Sequence, residues 1–431
     1  MNPLKQRTAV QLSRTIKLIL AAWVLNGLTA HAENPIAAAI GETKPIFDSR
    51  MRYENVDQDP LAQDADAETI RVRAGFETPK AWETSLLAEG EFVWDLGGDY
   101  RSDNAVLKNT AYPVVPDRES HEVNRLQLTN TSVPQTTITL GRQRVLLDDQ
   151  RFVGNSGWRQ NEQTFDGLRV VNKTVKNFTV DVAYLNQVNR VNGPDSPQGR
   201  YTGDVYLTNL AYQIPLGKFT AFNYLLKFDP LTQEAFPGLT AAQAAPLNPT
   251  RVSNSTYGLR FAGEKRLSEI KLGYTASLAR QKDAGQNPLD FTLDYRFAEV
   301  TGTYRQFTLG AGYEVLEGNG TVGFSTPLAT LHKYNGWADK FLTTPANGLE
   351  DRYVSAGVAF KGVGPLDTLT AVASYHTYDA QHISQDYGDE ANVQVQGKWQ
   401  HVNVLLKYAD YQADELLTDT TKWWAQIEYV W

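Results

Sequence analysis

Arginines and carboxylates that recur at every second position are the residues with the most chemistry to offer. Arg50 and Arg52 flank Met51, Arg71 and Arg73 flank Val72, and Glu89 and Glu91 flank Gly90. Arg125, Arg169, Arg260 and Arg296 take the same phase in later segments, opposite a set of Phe, Tyr, Trp, Leu and Val. A guanidinium is planar, permanently charged and able to hold a carboxylate through two parallel hydrogen bonds. A row of them on one surface attracts and orients anions. Set beside Asp48, Glu54, Glu89, Glu91, Asp95, Asp294 and Glu428, the same row would instead be neutralised by its neighbours. Both outcomes stay open on sequence.

Catalysis has less to stand on. His121, His332, His376, His382 and His401 fall in loops or at segment ends without ligand spacing, and no H-E-x-x-H, G-x-S-x-G or phosphate loop is present. His376 and His382 with Asp379 and Asp386 come nearest to an acid–base group, in residues of a kind usually solvated in loops. Asp57, Asp59, Asp64 and Asp66 match a calcium loop in composition but lack its Gly and bidentate Glu. The expectation is no enzyme, no cofactor and no metal.

The chain has 431 residues, with 41 Lys+Arg against 49 Asp+Glu, and no cysteine. That excludes a disulfide scaffold, thiolate zinc and thiol catalysis, and a net charge of −8 argues against a basic nucleic-acid binder. Lys5, Arg7, Arg14 and Lys17, a mostly apolar stretch from Leu18 to Leu28, and Ala30-His31-Ala32 have the three parts of a secretory signal. Residues 1–32 are therefore expected to be removed and residues 33–431 to form one domain. Beyond Ala32 no run of eighteen apolar residues exists, so a helical membrane protein is excluded.

Period-two alternation is the one repeating signal. Ile70, Val72, Ala74 and Phe76 alternate with Arg71, Arg73, Gly75 and Glu77, and Trp423, Ala425, Ile427 and Tyr429 with Trp424, Gln426 and Glu428. Eighteen such segments fit between residues 45 and 431. Tight turns such as Thr78-Pro79-Lys80 and Ser132-Val133-Pro134 alternate with long connections at 96–121, 148–162, 230–253 and 318–350. A bilayer gives an unpaired strand edge no hydrogen-bond partner, so a spanning sheet must close. The pattern predicts an all-β fold: a single closed antiparallel transmembrane barrel of about 18 strands, with short periplasmic turns and long extracellular loops. At that size the lumen is aqueous.

The densest charged stretch runs from Gly141-Arg142-Gln143-Arg144 through Asp148-Asp149-Gln150-Arg151-Phe152-Val153-Gly154 to Trp158-Arg159-Gln160 and Phe165-Asp166-Gly167-Leu168-Arg169. A loop of this composition can fold into the mouth as a constriction. Over 141–169 the stretch resembles the signature of the alginate-export outer-membrane porin family. The resemblance implies a monomeric eighteen-stranded barrel with Arg142, Arg144, Asp166 and Arg169 at the pore or its constriction, and Arg71 and Arg73 on the wall.

The functional expectation is an outer-membrane channel of a Gram-negative bacterium for passive diffusion of small polar or anionic solutes. An exporter of an acidic polysaccharide such as alginate, and a sealed structural or adhesive barrel, are the alternatives. The expected partners are outer-membrane lipid and lipopolysaccharide, the barrel-assembly machinery through the aromatic C-terminal strand, and the solute; no nucleic acid is expected.

Overall fold

The computed structural model describes residues 42–103, 105 and 109–431. The signal segment expected over 1–32 lies outside the described residues. Eighteen strands form one sheet. The first six are β1 (Lys44–Gln58), β2 (Ala65–Glu77), β3 (Thr84–Gly97), β4 (Ser120–Asn130), β5 (Thr136–Gln143) and β6 (Thr164–Asn172). There follow β7 (Phe178–Asn189), β8 (Arg200–Ile214), β9 (Gly217–Phe228), β10 (Asn254–Leu267), β11 (Ile270–Asp283) and β12 (Thr292–Tyr304). The last are β13 (Phe307–Leu316), β14 (Leu349–Val363), β15 (Leu366–Asp379), β16 (Asp386–Trp399), β17 (Val402–Gln412) and β18 (Thr420–Val430). Each pairs antiparallel with its sequence neighbours, and β1 pairs with β18 from Asp48↔Val430 to Gln58↔Thr420, which closes the barrel.

Alternation decides which way each side chain points. Met51, Tyr53, Leu128, Leu140, Leu210, Leu259, Leu309, Val354, Leu406, Trp423 and Ile427 are exposed on the outside. Arg50, Arg52, Glu54, Arg71, Arg73, Glu89 and Glu91 are buried within. Leaving one such large apolar side chain in water forgoes roughly 1.5–3 kcal/mol. A band of them around a closed barrel is therefore stable only against lipid, and a water-soluble barrel would carry the two faces the other way round.

Connections at one end are tight, as at Leu216 between β8 and β9, or Gly364 with φ 57° between β14 and β15. Those at the other end include 98–119, 144–163, 229–253 and 317–348. Two of these long segments turn inward. Residues 144–163, here the first inner loop, and 317–348, the second, join each other through the Val153↔Leu328 bridge and fill much of the lumen. They bring their own apolar core: Phe152 packs on Phe222 at 5.0 Å and Tyr295 at 5.2 Å, and Phe341 on Tyr378 at 4.5 Å.

Candidate channel constriction

The first inner loop leaves the wall after β5. β5 pairs with β4 over only five residue pairs, ending at Leu126↔Arg142. Gly141, at φ +114°, sits where the backbone turns away; a Cβ there would run into the Leu126 carbonyl and the Gln127 Cα. Arg142 closes the seam. It donates to the Val123 carbonyl at 2.8 Å and holds Asp166 on β6 through two bonds of 2.7 and 2.9 Å. Gln143 donates toward the carbonyls of Thr139, Gly141 and Gly167 at 3.3 Å each. The resemblance placed Arg142 and Asp166 at the constriction. They instead share the phase of outward Leu140 and Leu168 and seal the wall, because β5 leaves the sheet beside them.

From that seam the loop crosses the lumen. Arg144 pairs with Glu162 at 2.6 Å and lies 3.6 Å from Glu89. Asp148 meets Lys218 at 2.8 Å and Asn209 at 3.0 Å, Asp149 meets Arg260 at 3.0 Å, and Arg151 meets Glu314 at 2.6 Å. The loop then reaches the opposite wall. The Trp158 carbonyl accepts from Arg52 at 2.6 Å and Arg50 at 3.0 Å, Arg159 pairs with Glu54 at 2.9 Å, and Gln160 donates to Thr69 Oγ1 at 2.9 Å. The second inner loop locks over it: Asp339 pairs with Arg159 at 2.6 Å and Lys422 at 3.4 Å, and the Ala338 N–H donates to Glu390 at 2.9 Å.

The wall arginines, which could have formed an anion track or a neutralised wall, are tied to acids. Arg50 pairs with Glu428 at 2.7 Å, Arg52 with Asp117 at 3.2 Å, Arg71 with Asp48 and Glu428, Arg73 with Glu91, Arg125 with Glu89 at 2.7 Å and Arg169 with Asp181 at 2.6 Å. Burying a charge is tolerable only when it is paired and hydrogen-bonded. The wall is thus largely self-neutralised, the blander of the two outcomes the sequence left open. Glu162, between Arg73 and Arg144, is held below the usual carboxylate range: burial opposes this, and the two cations with their hydrogen bonds outweigh it.

Arg296 and Asp294 are corrected. Both point outward on β12, while Leu293, Tyr295 and Phe297 point in. On sequence those three read as the lipid set. The inner loops reverse that, since Phe152 and Phe324 supply Tyr295 with an apolar partner inside the lumen.

Above the loops lies a cavity of about 690 Å³, lined among the described residues by six basic side chains and one acid. The cations are Arg101, Arg151, Arg159, Arg190, Lys340 and Lys422, and the acid is Asp339. Arg190 stacks on Tyr201 at 4.3 Å and donates to its hydroxyl at 2.6 Å. Burial, then the charge of Lys422, lowers the Lys340 ammonium to about 8. Sequence reasoning missed Arg101, Arg190 and Lys340, which come from three separate extracellular segments and share no spacing.

His376, set against Asp379 and Asp386 on sequence, faces Asp351 through Nδ1 at 2.9 Å and Ser374 Oγ through Nε2 at 3.2 Å. Tyr353 and Tyr378 sandwich the imidazole, and Ser374 does not line the 690 Å³ cavity. The imidazole staples β14 to β15. The Asp57–Asp66 segment is not among groups able to hold a metal ion; the described residues contain none.

No protein-family model matches the chain, and no curated protein matches it in sequence. In fold it is similar to solved structures. Acinetobacter baumannii OccAB4 has a TM-score of 0.68 at 15% identity, covering 90% of this chain and 98% of that one. Pseudomonas aeruginosa OpdL has a TM-score of 0.67 at 14% identity, covering 91% and 99%. Pseudomonas aeruginosa OpdK, solved with vanillate, has a TM-score of 0.66 at 14% identity, again covering 91% and 99%. These similarities overturn the alginate-export resemblance drawn from residues 141–169, because the matching structures are Occ and Opd proteins. They establish the eighteen-stranded outer-membrane barrel as the fold of this chain.

Proposed function

We propose that the chain is an outer-membrane channel for passive diffusion of small anionic solutes, carboxylates in particular. The observation that carries this reading is the extracellular cavity: Arg151, Arg159 and Lys422 are held by Glu314, Glu54 and Asp339, while Arg190 and Lys340 line it with no carboxylate in pairing distance among the described residues. A narrow, low-dielectric mouth of one sign raises the local concentration of the opposite charge. The inner loops then set the size limit, and the paired wall keeps the remaining path polar without a deep trap. A site that holds its ion too tightly does not conduct. OpdK, similar in fold, was solved with the aromatic carboxylate vanillate, which fits the same chemistry.

On this reading residues 1–32 are removed on export and residues 33–431 work as a monomer. The strand ending in Tyr429, Val430 and Trp431 is then what the barrel-assembly machinery grips, and lipopolysaccharide surrounds the outer face.

The test is uptake into proteoliposomes. Gluconate should enter faster than sorbitol, an uncharged polyol of nearly equal size that, like gluconate, does not cross the bilayer unaided. Equal rates would remove the anionic preference, and no entry of either would favour a barrel sealed by its two inner loops.

A further inference from the structure

Lys407 on β17 differs from the other buried lumen cations: among the described residues no carboxylate pairs with it. Its side chain is 5% exposed. The ammonium lies 4.1 Å from the ring centre of Trp158, 3.8 Å from Trp337 and 5.5 Å from Trp424, and it meets His332 Nε2 at 2.7 Å. Trp158 belongs to the first inner loop, Trp337 and His332 to the second, and Trp424 to β18. Both inner loops therefore converge on one wall cation. His332 continues the chain, its Nδ1 2.7 Å from Asp339 Oδ1, and Trp158 stacks on the imidazole at 4.4 Å and 5°.

We propose that Lys407 is the positioning residue of the constriction, holding both inner loops docked through its tryptophan cage and neutral His332, and that protonation of His332 undocks them. An ammonium over an indole face is attracted by the ring quadrupole, the more so once both are desolvated. The His332 bond adds direction, because Nε2 accepts only while it lacks a proton, with Nδ1–H donating to Asp339. A proton on Nε2 would replace that bond with two cationic donors facing each other.

The surrounding charges are Asp339, Lys333 and Lys340 on the second inner loop, Arg159 on the first, Arg52 and Glu54 on β1, Glu390 on β16 and Lys422 on β18. Burial holds His332 well below its ordinary value; Asp339 opposes this through charge and hydrogen bond, and Lys407 and Arg159 add to it. The sign follows. A group whose docked pKa is depressed and which gains a proton on release favours docking above its free pKa, and that preference fades as pH falls. Below pH about 6.5 the undocked population should rise up to about tenfold per pH unit.

The chain has no cysteine, so an Ala338→Cys substitution gives a single reporter, buried in the second inner loop. Maleimide labelling of the folded, detergent-solubilised barrel is measured from pH 7.5 to 5, alone and with His332→Gln or Lys407→Met. Divided at each pH by the rate of the same thiol in the unfolded chain, which removes the loss of thiolate, labelling should accelerate as pH falls below about 6.5. With His332→Gln it should lose that acceleration, and with Lys407→Met it should already be fast at pH 7.5. Heat-modifiable migration on a gel verifies that each variant is folded. Identical pH profiles with and without His332→Gln, or slow labelling throughout with Lys407→Met, would overturn the proposal. The labelling readout needs no conduction, so an acid-opened barrel that passes no ions would keep the latch and sink the channel reading.

Discussion

A half-buried lysine at the cavity makes the residue-scale case. Lys340 donates to Thr420 Oγ1 at 2.7 Å and has its ammonium lowered to about 8 by burial and Lys422. Its positive charge is present below that pH and lost above it. Anion preference should therefore weaken as pH rises from 7 to 9, and Lys340→Met should flatten this dependence; an unchanged slope in the variant would assign it to another group. Arg159 supports a different expectation, because it satisfies both Glu54 and Asp339. Removing one partner of a buried pair costs about 3–5 kcal/mol. Arg159→Met should release the loops from the β1 wall and raise conductance, with the barrel still heat-modifiable. Lumen-facing arginines were legible from alternation, and Arg50, Arg52, Arg71, Arg73, Arg125, Arg169 and Arg260 do face inward. Their partners were not: Asp117 and Asp149 stand far from Arg52 and Arg260 in sequence, and only loop folding brings them together.

At the scale of elements, β5 and the loop after it are the informative pair. Gly141 is the position where backbone geometry demands glycine, at φ +114° with the Leu126 carbonyl in the way. A side chain in that region stores about 1–3 kcal/mol of strain. Gly141→Val should lower the temperature at which the barrel loses its heat-modifiable form, and an unchanged temperature would mean the loop exit relaxes freely. Period-two patterning was enough to place all eighteen strands and the four long connections within a few residues. It could not say which connections fold inward. That choice depends on contacts such as Val153↔Leu328 and Phe152 on Tyr295, which link segments with no local signal between them. The same contacts explain the misread phase of β12. Tyr295 and Phe297 are apolar because the loops cover them, whereas the outward face near that rim carries Arg280, Asp294 and Arg296.

The whole molecule separates two electrostatic jobs. Acids and arginines on the wall cancel each other, while on the proposed reading Arg190 and Lys340 of the extracellular cavity supply the sign of the field. Net charge of the chain, −8, would suggest the opposite preference, so the proposal rests on the location of charge and not on its total. The apolar outer band fixes the barrel in lipid, and the inner loops decide how wide a path remains. The measurement that tests this most directly is the reversal potential of the purified barrel in a planar bilayer under a potassium chloride gradient at pH 7. A conducting channel whose reversal potential lies on the chloride side is the predicted result. A potential on the potassium side, or no conductance with the loops intact, would contradict it.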